Sequence, residues 1–115
     1  ITWWNKHWIM TRDKFQLFLA SVFNRTQNIL TSKSKEYATD DDIFLSFKRG
    51  TGFSFHNESE KVAYEYLCKH LESIKTMLDN LDNPPDKKYI DEKIGDAINY
   101  LIIIEGLLKE RIGDI

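Results

Sequence analysis

The sequence has few of the residues that build a disulfide framework or a basic surface. Its 115 residues include a single cysteine, Cys68, which cannot form a disulfide within the chain. The 16 Lys and Arg residues are outnumbered by 18 Asp and Glu residues, which gives a formal net charge of -2. Because proteins that bind nucleic acids through phosphates need a basic excess, we do not expect nucleic acid as the partner.

Long apolar runs and common catalytic motifs are also missing. No stretch reaches the roughly 18 apolar residues of a membrane span, so we expect no membrane partner. The single cysteine fits a reducing interior best. The sequence has no CxxC or HExxH metal motif and no nucleophile next to a base. The segment RGTG at 49–52 lacks the spacing of a phosphate-binding P-loop.

The composition predicts one domain with a real core, since 42% of the residues are hydrophobic and 13% are aromatic. All three tryptophans lie in the first nine residues, ITWWNKHWI, just before Met10. We interpret residues 1–9 as a leader or an added extension. The alternative is a native segment whose tryptophans cover an apolar groove. Residues 10–115 are then a single helical domain.

Apolar residues recur at spacings of three and four along most of the chain, which is typical of amphipathic helices. Asn57 followed by Glu60 suggests a capping box at the start of one helix, and Pro84-Pro85 marks a turn. The polar segment 31–39 is predicted to be a loop. The predicted fold is all-α, a small bundle of about four helices, one of them short, with approximate bounds 11–30, 40–48, 57–80 and 86–112.

The last predicted helix is apolar on all sides. The run from Leu101 to Ile104 points in four directions about 100° apart, and a helix that is apolar all round has to be buried all round. Gly95 and Gly106 lower helix propensity, which favours close approach of another helix as their compensation. We therefore expect a homo-oligomer, a dimer or higher, that assembles through this helix.

Two carboxylates on the last helix form a candidate metal site. Glu92, Asp96 and Asn99 are four and three residues apart, so they share one face. Two carboxylates one turn apart can hold Mg²⁺ through oxygen ligands, which makes Glu92 and Asp96 the candidate metal ligands. The alternative is a solvated helix edge without a metal.

A second candidate cluster contains basic and aromatic residues. His70 falls in the apolar stripe of the third helix, where a hydrogen-bonded core histidine is the plainer interpretation. Lys69 and Lys35 are cations that can bind phosphate. Lys35 begins the segment Lys35-Glu36-Tyr37, which precedes the acidic run 40–42.

Three strings carry a resemblance to a known family: KEYATDDDIFLSFKRG, YEYLCKHLESI and YIDEKIGDAINYLIIIEGLL. Between about Lys33 and Leu108 the chain resembles small phage-encoded helical proteins related to the nucleotide-modification-associated domain. It is more distantly similar to the MazG-like all-α nucleotide pyrophosphatases. The resemblance implies a phage or prophage origin, action in the cytoplasm of an infected or lysogenic bacterium, oligomerisation and a nucleotide-type ligand.

The chain departs from the MazG-like pattern in its acidic residues. It has no EExxE motif, and Glu92 and Asp96 stand four residues apart where the pattern has a spacing of three. This departure puts pyrophosphatase activity in doubt and leaves a nucleotide pocket as the expectation.

Three functional hypotheses follow. The first is a protein that binds a nucleotide or nucleotide-derived signal in counter-defence, through Lys35, Glu36, Tyr37, Lys69, His70, Asp96, Asn99 and Tyr100. The second is an Mg²⁺-dependent MazG-like nucleoside triphosphate pyrophosphatase, with Glu36, Asp40, Glu92 and Asp96 as ligands. The third is an inhibitor that contacts a host defence protein such as a nuclease. We rank binding first.

Overall fold

A computed structural model describes residues 9–37, 42–52 and 55–114, without the side chains of Ser34, Glu36 and Tyr37. These residues form four α-helices and, within those ranges, no strand. The all-α prediction with one short helix is therefore confirmed. The helices are α1 (Arg12–Tyr37), α2 (Leu45–Gly50), α3 (Ser59–Leu78) and α4 (Lys87–Arg111).

The core lies between α3 and α4, which form an antiparallel hairpin. Glu60 at the start of α3 pairs with Arg111 at the end of α4, and His70 faces Asp96 in the middle. The core side chains are small or aliphatic, and α3 and α4 supply all of the buried apolar ones in the described part: Val62, Ala63, Leu67, Ala97 and Leu107.

The start of α4 is as predicted, and the start of α3 is only partly so. Asp86 caps α4, because its side chain accepts a hydrogen bond from the backbone N–H of Tyr89 at 2.9 Å. The capping box at Asn57 is wrong: the N-cap of α3 is Glu58, which makes no side-chain cap hydrogen bond. Glu60 instead accepts hydrogen bonds from the Ser59 hydroxyl and the Arg111 guanidinium.

Helix α1 is longer than the sequence predicts, and the expected loop from residue 31 is wrong as far as Tyr37. The polar segment stays helical because its inner face still has a partner on α4. Arg25 pairs with Asp91 at 3.1 Å, and Lys33, about two turns later, lies 3.5 Å from Asp96. Since both residue numbers rise together, α1 runs parallel to α4.

Helix α2 begins later than predicted, at Leu45, and ends at Gly50. Asp42 precedes it and accepts a hydrogen bond from the backbone N–H of Phe44 at 3.0 Å. It also pairs with Lys48 at 2.9 Å, which ties the entry of α2 to its last turn. The other two acidic residues of the predicted run, Asp40 and Asp41, lie outside the described residues.

The N-terminal half of α1 extends beyond the rest of the bundle. Asp91, the partner of Arg25, is only four residues from the first residue of α4, so the part of α1 before about residue 21 lies past the start of α4. Phe15, Leu17 and Phe18 are accordingly exposed. The expectations for residues 1–9 concern a segment of which only Ile9 is described.

No helix in the described ranges is both long enough and apolar enough to cross a membrane.

Candidate functional site: a cavity between α1, α2 and α4

A cavity of about 630 Å³ lies where the end of α1 and the α2 segment meet one side of α4. This volume is within the usual range for small-molecule pockets. Its walls are mainly apolar, and a few charged and amide groups lie among them. The lining residues are Leu30, Thr31, Lys33, Ile43, Phe44, Ser46, Phe47, Asp96, Asn99, Tyr100, Ile102, Ile103, Glu105, Gly106 and Lys109.

Gly106 allows Phe44 to pack directly on α4. A Cβ atom at residue 106 would lie 2.5 Å from Cζ of Phe44, closer than side chains tolerate. The absence of a side chain at this position lets the aromatic ring form part of the cavity wall. Another helix was expected as the close neighbour of this glycine, and the neighbour is instead the side chain of Phe44, which precedes α2.

Asn99 lines the cavity with a side-chain amide that is buried and makes no hydrogen bond within the described residues. It is 4% exposed, and neither its Oδ1 nor its Nδ2 has a hydrogen-bond partner in the described part of the chain. A buried polar group without a partner destabilises a fold by about 1–3 kcal/mol. An amide buried in this way at a cavity wall can take its hydrogen bonds from a bound water or from another small molecule.

The Asp96 carboxylate lies between the ammonium group of Lys33 and the imidazole ring of His70. The carboxylate is 3.5 Å from Nζ of Lys33 and 3.6 Å from Nδ1 of His70, and the Asp96 side chain is 17% exposed. These contacts join α1, α3 and α4 at one point beside the cavity.

The ring of Tyr100 is fixed by aromatic neighbours. His70 stacks on it with a centroid distance of 5.2 Å, and Phe47 approaches edge-on at 6.2 Å. Tyr66 also lies against it at 6.0 Å. Such contacts hold an aromatic side chain in one orientation, so Tyr100 is a rigid part of the wall.

The structure brings together part of the predicted ligand-binding set. Asp96, Asn99 and Tyr100 line the cavity, and His70 lies behind them against Asp96 and Tyr100. Lys69 is exposed, with its Nζ 5.4 Å from the centre of the Tyr66 ring. Lys35 is exposed and is not among the described lining residues, and the predicted roles of Glu36 and Tyr37 concern side chains outside the described part.

The predicted metal ligands are placed differently from one another. Asp96 contacts Lys33 and His70, whereas Glu92 is exposed one turn earlier on α4. In the described ranges no group of three or more His, Cys, Asp or Glu side chains could hold a metal ion. Magnesium binding at Glu92 and Asp96 stays a prediction.

Several lining residues were missed from the sequence. Lys33 was assigned to a loop, although continuing the α1 spacing from Thr26 places it on the inner face one further heptad along. Phe44 and Phe47 were not among the predicted site residues, because nothing in the sequence says that Gly106 opens a place for an aromatic ring. Ile103 was expected at a subunit interface and instead lines the cavity.

Comparison of the chain with protein-family models, with curated proteins and with solved structures finds no match.

Proposed function

We propose that the protein binds a nucleotide-type small molecule in this cavity, with the base against Asn99. The observation that carries the proposal is the buried Asn99 amide, which has neither a donor nor an acceptor partner among the described residues. A ligand that supplies both would remove the energetic penalty of that buried group.

The chemistry of an amide favours a nucleobase as the group that meets it. Asn presents a donor and an acceptor side by side, and it forms paired hydrogen bonds with base edges that offer the complementary pattern. Phe44, Phe47 and Tyr100 give the same cavity aromatic walls, which suit a flat ring.

Two cations line the same cavity and suit a phosphate. The side chains of Lys33 and Lys109 are 49% and 47% exposed, so their ammonium groups are near solvent. Lys33 faces Asp96 and Lys109 faces Glu105, at 3.5 Å and 2.9 Å. Each lysine can keep its carboxylate contact and still donate a hydrogen bond to an anion, because an ammonium group has three donors.

The test is a calorimetric titration with nucleoside monophosphates, nucleoside triphosphates and cyclic dinucleotides. We expect binding by the wild-type protein and loss of at least about tenfold in affinity in Asn99→Leu, since one paired set of hydrogen bonds is worth ~1–3 kcal/mol. The absence of binding to all members of the panel at millimolar concentration would refute the proposal.

Thr26→Val is the matched control. Thr26 is also buried, 6% exposed, and its hydroxyl also lacks a partner in the described ranges, but it is not among the lining residues. We expect this variant to bind as the wild-type protein does. Equal loss of affinity in both variants would assign the effect to a change in α1–α4 packing instead.

The pyrophosphatase, counter-defence and host-inhibitor hypotheses remain predictions, as do the phage origin and the bacterial cytoplasm. Asn99 supports ligand binding over catalysis, because an uncharged amide recognises a ligand without acting as an acid or base. Pyrophosphate release from nucleoside triphosphates with Mg²⁺, lost in Asp96→Asn, is the result that the enzyme hypothesis requires.

A further inference from the structure

The α3–α4 hairpin has an open apolar side, which we call the hairpin face and define as Leu71, Leu78, Ile90, Leu101, Leu108 and Ile112. These side chains are between 38% and 76% exposed. An apolar patch of this kind on a small protein marks an interaction site.

The contacts of α4 define where this face lies. Helix α3 contacts Asp96, Tyr100 and Arg111, while α1 and α2 contact Asp91, Gly106 and Glu110. With 3.6 residues per turn, these contacts cover the helix except for one strip. That strip contains Ile90, Leu101, Leu108 and Ile112.

Helix α3 continues the same face. Val62 and Tyr66 are on its α2 side, since Val62 lies under Gly50 and Tyr66 contacts Phe47. Leu71 and Leu78, seven residues apart, lie on the other side of α3, away from α2. The hairpin face is therefore two helices wide and opposite the side on which α2 packs.

The spacing of the α4 strip is symmetric about Leu101. Ile90 and Ile112 are each eleven residues from it, and Ile94 and Leu108 are each seven residues from it. An antiparallel copy of α4 with a two-fold axis at Leu101 would therefore place Ile90 against the second copy's Ile112. The same two-fold operation places Ile94 against Leu108 of the second copy. It places Leu101 of one copy against Leu101 of the other, as a closed two-fold interface requires.

The charges along one edge of the strip favour the antiparallel arrangement. Asp91 and Lys109 project on that edge, because they are eighteen residues, or five helical turns, apart. Under the two-fold operation Lys109 comes level with residue 93 of the second copy, about 3 Å along the axis from its Asp91. In a parallel two-fold pair this edge would face the opposite edge of the second copy, so Asp91 and Lys109 would not come near each other.

We infer that two copies of the chain pack through their hairpin faces, with antiparallel α4 helices crossing at Leu101, to form a four-helix bundle of two α3 and two α4 helices. The cavity lies on the α1 and α2 side of α4, so each copy has its own complete cavity.

Sedimentation over a concentration series tests this arrangement. We expect a dimer for the wild-type protein and at least a 100-fold weaker association for Leu101→Glu, with helix content unchanged by circular dichroism. Leu17→Glu on the projecting half of α1, where Leu17 is 74% exposed, is the control and should leave the dimer intact. Two results would overturn the inference: a wild-type protein that is still monomeric at about 1 mM, where a Kd of that size corresponds to only about 4 kcal/mol, or loss of the dimer in Leu17→Glu.

A cross-link tests the position of the two-fold axis, and it stays informative if Leu101→Glu does not fold. In a Cys68→Ser background, Leu101→Cys should oxidise to a covalent dimer, because the axis brings the two copies of this position within disulfide reach. Ile112→Cys in the same background should not do so, because the antiparallel arrangement places this position against Ile90 of the second copy, whereas a parallel pair would bring the two copies of position 112 together. A dimer that fails to cross-link through position 101 would contradict the antiparallel arrangement.

Discussion

The two sides of α4 differ in what they leave without a partner: a buried polar group on one side and exposed apolar side chains on the other. Towards α1 and α2 the helix buries the amide of Asn99 without a hydrogen-bond partner among the described residues. On the hairpin face, only two positions later, it leaves Leu101 55% exposed. A buried polar group without a partner and an exposed apolar strip are both unfavourable in an isolated chain, and each calls for a different partner.

This contrast assigns ligand binding and subunit association to different sides of α4, whereas the sequence analysis placed both at one interface. From sequence alone the run from Leu101 to Ile104 indicated burial between subunits, with the site beside that interface. The structure divides the run, because Ile102 and Ile103 line the cavity while Leu101 lies on the hairpin face. Ligand binding and association are therefore expected to be separable by mutation.

The largest expected effect is in the core between α3 and α4, and the hairpin face of α4 gives the comparison. Leu107 is 2% exposed, so Leu107→Ala should lower the free energy of unfolding by about 3 kcal/mol through the cavity that it leaves. Leu101→Ala on the hairpin face should lower it by less than about 1 kcal/mol. Chemical denaturation at a protein concentration too low for association measures both. Equal losses would mean that Leu101 is already buried within one chain.

The two glycines of α4 give a second matched pair. Gly106→Ala places a methyl group against Phe44, so we expect a loss of about 1–3 kcal/mol and displacement of the aromatic wall. Gly95→Ala meets only Nε of Arg25, at 3.9 Å, and should gain up to about 1 kcal/mol from helix propensity. Thermal unfolding of both variants checks the prediction, which fails if Gly106→Ala is neutral.

The hairpin itself should depend on pH through Glu60. The Arg111 guanidinium donates hydrogen bonds to this carboxylate and lowers its pKa from 4.5 to about 2. Because the folded-state pKa is the lower one, the stabilisation is fully present above about pH 4.5 and is lost as the pH falls towards 2.

Because the Arg111 side chain is 56% exposed, solvent screens this pair, and we expect a loss of stability well below what the full shift in the pKa of Glu60 would give. The measurement is the free energy of unfolding from pH 6 to pH 2 for the wild-type protein and for Glu60→Gln. The variant should lose this part of the pH dependence. Parallel profiles for the two proteins would show that Glu60 does not titrate in this range.

The fold was predictable where local chemistry and apolar spacing agree. The start of α4 follows from Pro84-Pro85 and the Asp86 cap, and both signals are local. The end of α1 was missed because Lys33 and its neighbours are polar, and only the tertiary contact of Lys33 with Asp96 gives that turn a partner. Contacts between residues this far apart in the sequence do not appear in its periodicity.

The candidate site was predictable only on α4. Asp96, Asn99 and Tyr100 share a helix, so their spacing alone brings them near one another. Lys33 and Phe44 come from other elements, and their approach depends on how α1 and α2 pack against Gly106 and Asp96. Lys69 was predicted to bind phosphate beside His70, yet neighbours in a helix point about 100° apart, and Lys69 is exposed away from the cavity lining.

The free energy of unfolding of Asn99→Leu, measured without ligand, shows whether the Asn99 amide lacks hydrogen bonds within the folded chain. Leucine has the same branching at Cγ and no polar atoms, so removing an unpartnered amide should raise the stability by about 1 kcal/mol while it weakens nucleotide binding at least about tenfold. A fall in stability of the same size would contradict the proposal that a ligand supplies the hydrogen bonds of Asn99. It would show that Asn99 already has them within the folded chain.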